Sequence, residues 1–166
     1  MLDTIGRYLQ GLSNVKDARF LQTIINPIGD RYSSQPLTSA GLVIKAGGST
    51  LAKTGAADFY ASVTGVLVKI AASTDMPALT GINVGAGSFC TVYFFVDSAG
   101  TVTVAAGTPG ATLAAVVPPQ FPQGKALVGF LILTYASAFT GGTTPLDTAT
   151  TVYVSPLGPF DPTVLL

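Results

Sequence analysis

Ser88-Phe89-Cys90-Thr91-Val92-Tyr93-Phe94-Phe95-Val96-Asp97-Ser98-Ala99-Gly100-Thr101-Val102-Thr103-Val104-Ala105 is the stretch on which the fold turns. From Ser88 to Val96 nearly every side chain is aromatic or β-branched, the types that fit a pleated surface. Asp97 to Gly100 follows with a carboxylate able to bond its own backbone and a glycine free to take positive φ. Thr101 to Ala105 then returns, so the whole reads as an antiparallel hairpin. Alternation places Phe89, Tyr93 and Phe95 on one face and Cys90 and Phe94 on the other. The first set is expected in the core. Phe94, with Tyr135 further on, is expected on an outer or intersubunit face.

The same grammar extends in both directions. Leu42 to Ala46 ends at Gly47 and Gly48, and Ala57 to Val63 meets Thr64 and Gly65 before Val66 to Ala71, a tight hairpin. Ala111 to Val117 reads as a strand closed by Pro118 and Pro119, which cannot both serve a central ladder. Lys125 to Tyr135 is continuously apolar, which predicts burial on both faces, between the core and a neighbouring subunit. Thr150 to Ser155 is the last strand, and Pro156, Gly158, Pro159 and Pro162 enforce an extended tail. About seven or eight short strands at regular spacing predict a mainly β chain, an antiparallel β-sandwich or jelly-roll-like domain.

The first 36 residues differ. Leu2, Ile5, Leu9 and Leu12 recur at helical spacing, and Gly11 weakens the end of that stripe. Asn14 caps a second turn through Phe20, Leu21, Ile24 and Ile25, stopped at Asn26 and Pro27, and Gly29 to Pro36 reads as a loop. The expected organisation is therefore a short, partly helical N-terminal arm, 1–36, before a β domain, 37–166.

Composition narrows the chemistry. The chain has no histidine, no glutamate and one cysteine, against eight aspartates, five lysines and six tyrosines. General acid–base work near neutrality relies on His or a tuned carboxylate, and no Ser-His-Asp or Cys-His arrangement can be assembled. One cysteine excludes an internal disulfide and a cysteine-rich zinc site, and no cofactor is expected. Ala46-Gly47-Gly48-Ser49-Thr50 lacks the lysine of a phosphate-binding loop, and Gly85-Ala86-Gly87 lacks its third glycine, so both read as turns. Asp147-Thr148-Ala149 departs from the aspartic-protease Asp-Thr-Gly, and Asp97 and Asp147 read as turn formers before calcium ligands.

Charged residues make up only 10% of the chain, net charge is zero, and mean hydropathy is +0.55. No basic field exists to draw nucleic acid or an anionic membrane. No run is long enough for a membrane helix, and no secretory leader is visible. So neutral a surface predicts self-association or docking onto a larger assembly.

Several stretches together resemble small virion structural proteins of tailed bacteriophages: Gly41 to Ser49, Gly65 to Ala71, Phe94 to Thr101, Lys125 to Phe130 and Phe139 to Asp147. The resemblance covers residues 40 to 161 and, at this chain length, is nearest a capsid decoration or cement protein. It implies a noncatalytic role: binding the outside of the shell, bridging capsomers and resisting internal pressure. The implied partners are the major capsid protein and sister subunits, a homotrimer being favoured, with the virion surface as location and the host cytoplasm as the place of synthesis. Leu2, Ile5, Leu9, Leu12, Phe20 and Ile24 are the candidate partner-binding residues, reaching a capsid protein or a sister subunit. The alternative is a head-fibre or tail-associated protein that binds host glycans through loops 81–87 or 138–146.

Overall fold

The computed structural model describes residues 32–159 together with Gln22, Thr23, Ile25, Asn26 and Gly29. The chain forms β1 (Gln35–Pro36), β2 (Val43–Ile44), β3 (Ala52–Lys53), β4 (Phe59–Val63), β5 (Val66–Ile70), β6 (Asn83–Val84), β7 (Phe89–Asp97), β8 (Val102–Ala106), β9 (Lys125–Thr134), β10 (Phe139–Thr140) and β11 (Thr150–Val154). Every pairing is antiparallel. It is a mainly β domain of several sheets with a short helical segment ahead of it.

The largest sheet runs β11-β9-β7-β8. Its β7–β8 hairpin is the one the opening stretch predicts. Asp97 Oδ1 accepts from the Ala99 and Thr101 amides at 3.0 and 2.9 Å, the Gly100 amide donates to the Asp97 carbonyl at 3.0 Å, and Gly100 sits at φ +83°. These bonds define a three-residue loop whose last residue must be left-handed, a position glycine fills without strain.

Between β7 and β9 the register slips. Phe94 faces Gly129 but Phe95 faces Leu127, so Val128 is an extra residue and β9 carries a bulge. The slip changes which side chains share a face: Ala126 and Val128 point to the same side as Leu131 and Leu133, whereas Leu127 and Phe130 point to the other. Nothing but glycine fits at the turnover. A β-carbon on Gly129 would lie 2.6 Å from both Leu42 Cδ1 and the Val154 carbonyl oxygen.

A second sheet runs β1-β4-β5. Its β4–β5 hairpin turns through Thr64 and Gly65, both at positive φ, 50° and 83°, the mirror-image turn whose twist matches paired strands. Phe59, Ala61 and Val63 of β4 with Val68 and Ile70 of β5 meet Cys90, Val92, Phe94 and Val96 of β7 and the inward residues of β9 in one core. Each fully buried large apolar side chain there contributes about 1.5–3 kcal/mol. The opposite face of β7 and β9 builds a smaller aromatic cluster. Tyr93 stacks on Phe130 with centroids 5.0 Å apart, and Phe121 stands edge-on to Tyr93 and Phe95 at 5.7 and 5.1 Å.

Four expectations change. Phe94 is not on an outer face: it is completely buried in the main core, and Tyr135 packs half-buried against the same core. Both faces of β7 are covered, so alternation separates its residues without exposing either set. Burial of β9 on both faces is present, but this chain alone provides it. Ala111 to Val117 is not a strand; Leu113–Ala115 forms a 3-10 turn. The Gly110 amide and carbonyl pair with Phe89, Val117 pairs with Thr108, and the chain must loop outward between those anchors. Finally, the helical pattern does not stop at Asn26: Gly29, Tyr32 and Ser33 are helical, and Gln35–Pro36 is already strand β1. Ser33 is fixed from the β domain, where Ser62 Oγ and the Gly65 amide both donate to its carbonyl.

Candidate interaction surface

The described carboxylates all have structural work. Asp58 pairs with Lys69 at 2.6 Å and accepts from the Ala72 amide at 2.9 Å; Asp75 pairs with Lys45 at 2.6 Å. Asp97 closes its hairpin, and Asp147 Oδ2 accepts from the Gly48 amide at 2.6 Å, tying the β2–β3 turn to the loop before β11. The hydrogen bond from Lys69 holds the Asp58 carboxyl below its ordinary range, and the same contact raises the Lys69 ammonium. Both groups are solvated, so the pair contributes little to stability. Among the described residues no group of His, Cys, Asp or Glu side chains is placed to hold a metal ion.

Cys90 is buried, its thiol donating to the Thr91 and Gly107 carbonyls at 3.6 and 3.5 Å, and burial pushes its pKa up. A thiol so placed packs as a small hydrophobe. The next residue on β7 belongs to an unusual pair. Thr91 Oγ1 and the Tyr93 hydroxyl are both buried without a hydrogen-bond partner. They lie close to one another but outside bonding geometry, so the Thr91 dipole only partly offsets the burial that raises the Tyr93 phenol.

Loops 81–87 and 138–146 come together, because β6 and β10 pair with Phe139 opposite Val84 and Thr140 opposite Asn83. The exposed positions there are small and neutral: Gly81, Gly85, Ala86, Gly87, Ala138, Thr140, Gly142 and Thr143, with Asn83. Phe139, the aromatic within these loops, is buried. A sugar ring finds no stacking face on them.

What the described surface offers is apolar area. Leu37, Val43, Val66, Leu67, Val117, Val152 and Leu157 are exposed, Leu67 at 66%. Ile25 and Tyr32, both helical, are exposed as well, 50% and 66%. Leu2, Ile5, Leu9, Leu12, Phe20 and Ile24 lie outside the described residues. The exposed strand residues were not singled out in sequence because exposure depends on strand order. Val66 and Leu67 are consecutive apolar residues just past a turn, and only the position of β5 at a sheet edge leaves both uncovered. No family model matches the chain, and neither a curated protein nor a solved structure is detectably similar to it.

Proposed function

We propose that the chain is a noncatalytic structural protein of a tailed-bacteriophage virion that binds the outside of the capsid shell and stabilises contacts between capsomers. The observation that carries the reading is the division of labour among its side chains. Described carboxylates close turns and pair with lysines, while large apolar side chains stay exposed on a surface with few charges. Such a surface suits a protein that spends its life against neighbours. In this reading the β1-β4-β5 and β11-β9-β7-β8 sheets are the layers of a β-sandwich, and Leu2, Ile5, Leu9, Leu12, Phe20 and Ile24 belong to an arm that engages the major capsid protein or a sister subunit of a homotrimer.

Rigidity supports the same reading. The β2–β3 turn, the β4–β5 turn and the β7–β8 turn are each fixed by a side-chain bond or by positive-φ residues. Multiplied over many copies, modest contacts of a stiff body add up to a strong brace. Purified protein titrated against expanded and immature shells should saturate the expanded ones at hundreds of copies per particle. Absence of binding to expanded shells removes the reading, and a copy number of a few per particle moves the protein to a vertex or tail.

A further inference from the structure

Of the four edges presented by the two large sheets, β8 differs from the rest. At the end of β11 the Leu42 amide donates to Ser155 Oγ at 3.0 Å, so the entry to β2 lies against that end of the edge. β1 is a two-residue strand containing Pro36, and β5 carries Lys69, two common devices for keeping an edge from pairing with another chain. β8 has neither device. It reads Val102-Thr103-Val104-Ala105-Ala106, and no charged residue occurs anywhere from Ser98 to Gly124.

Its hydrogen-bonding parity is set by the bonds at its ends. The Asp97 amide donates to the Thr101 carbonyl at 3.1 Å, and the Gly107 amide donates to the Thr91 carbonyl at 2.8 Å. With the register Phe95↔Thr103 and Tyr93↔Ala105, the odd-numbered residues of β8 bond to β7. The amides and carbonyls of Val102, Val104 and Ala106 therefore point away from the sheet. Among the described residues no backbone or side-chain group bonds to them.

We propose that β8 is an interface: it pairs antiparallel with β8 of a second copy about a two-fold axis at Val104, joining two four-stranded sheets into one continuous sheet. In that register Val104 bonds Val104 of the second copy, and Val102 bonds Ala106, so every outward group finds a partner. The edge is self-complementary in this way because Val102 and Ala106 are equidistant from Val104. β8 itself has no charged side chain; the Lys125 ammonium donates to Thr103 Oγ1 at 3.0 Å, so that charge stands on a face of the sheet and leaves the hydrogen-bonding edge itself uncharged. A strand pair this short buries less than the roughly 1,200 Å² of a specific interface, and the neighbouring edge supplies more. β5 reaches the β7–β8 turn, where a β-carbon on Gly100 would lie 3.9 Å from Val68 Cγ1, and its Val66 and Leu67 are 48% and 66% exposed. The contact uses the β body and not the arm, so it stands or falls independently of shell binding.

The test is made on the full chain in solution, without shells. The Val104 amide points out of the sheet and bonds nothing within the chain, so Val104→Pro removes a donor only the second copy uses, whereas Val104→Thr keeps the amide and the β-branched shape. Sedimentation should give a wild-type mass that is an even multiple of the chain, the same mass in Val104→Thr, and a mass halved in Val104→Pro with its far-ultraviolet circular dichroism unchanged. Hydrogen exchange read by NMR on the wild type should show the Val102, Val104 and Ala106 amides protected, with protection falling at least tenfold on dilution. Outward amides that exchange freely at every wild-type concentration, or a folded Val104→Pro variant of unchanged mass, would overturn the proposal.

Discussion

Leu42 Cδ1 occupies the space that a β-carbon on Gly129 would need, 2.6 Å from that position, so the bulge in β9 and the entry to β2 are locked together. Gly129→Ala is expected to destabilise the domain by about 1–3 kcal/mol, the usual range for overpacking a filled core. The Val154 carbonyl oxygen stands at the same distance and cannot rotate away as a side chain can. Urea melts of Gly129→Ala, Leu42→Ala and the double variant separate the two obstacles. The double variant should remain less stable than Leu42→Ala alone, because the carbonyl is still in the way. Equal stability of those two would show that Leu42 alone sets the glycine requirement.

The Tyr93 hydroxyl and Thr91 Oγ1 make the next prediction. A buried polar group without a partner costs about 1–3 kcal/mol of desolvation, so removing it should not weaken the fold. Tyr93→Phe keeps the ring against Phe130, Phe121 and Phe95 and should leave the urea midpoint unchanged or raise it. A loss above about 1 kcal/mol would mean that the hydroxyl has a partner, an internal water being the one such a site accepts.

Asp97 supports its hairpin with one carboxylate oxygen that accepts two amides. Asp97→Ala should cost about 1 kcal/mol in thermal or urea unfolding, since the turn is exposed and water takes over the freed donors. Asp97→Asn retains an acceptor oxygen and should lose less than half of that. Equal losses in the Asn and Ala variants would show that charge, and not the acceptor, stabilises the turn.

The β7–β8 and β4–β5 hairpins were legible because their signals are local: a run of β-formers, an aspartate or glycine where the turn needs it, and a return strand. The two-sided burial of β9 was legible from its unbroken apolar run. What failed depends on contacts distant in sequence. Phe94 could be separated from Tyr93 and Phe95 by alternation, yet nothing local says that both faces of β7 are covered. The bulge at Val128 and Gly129 inverts alternation halfway along β9, and only packing against Leu42 and Val154 explains the glycine there. Leu113 to Ala115 has the composition of a strand, but Gly110 is anchored to Phe89 and Val117 to Thr108, so the intervening residues loop out. Of the site, the general expectation of exposed apolar area has a counterpart in Leu67, Val152 and Leu157. The residues first nominated lie outside the described part of the chain.

The response to pH follows from which groups are shifted and in which direction. Without histidine, no side chain at its ordinary pKa titrates between pH 8 and about 5.5, so stability, and attachment to shells under the proposed function, should be flat across that window. On the acid side, Asp58 is held below its ordinary value by Lys69, so its contribution is present above that value and is lost as pH falls through the folded-state pKa, below about 4. The pair is fully solvated, and the acid loss at this site should be small and weaker still in high salt. On the alkaline side, burial raises Cys90, Tyr93 and Tyr153, the last also because the Asp147 carboxylate is near. In the unfolded chain these groups ionise at about 8.5 for the thiol and 10 for the phenols, while the folded chain keeps them neutral. Each contributes stability that is intact below its unfolded-state pKa and declines as pH rises above it. Urea midpoints measured from pH 3 to 11 should therefore show a plateau with a shallow acid fall and a steeper alkaline one. In the Cys90→Ala variant the alkaline fall should begin roughly one pH unit later. A midpoint that moves between pH 8 and 5.5 would require a strongly perturbed carboxylate, and Asp→Asn substitutions would locate it.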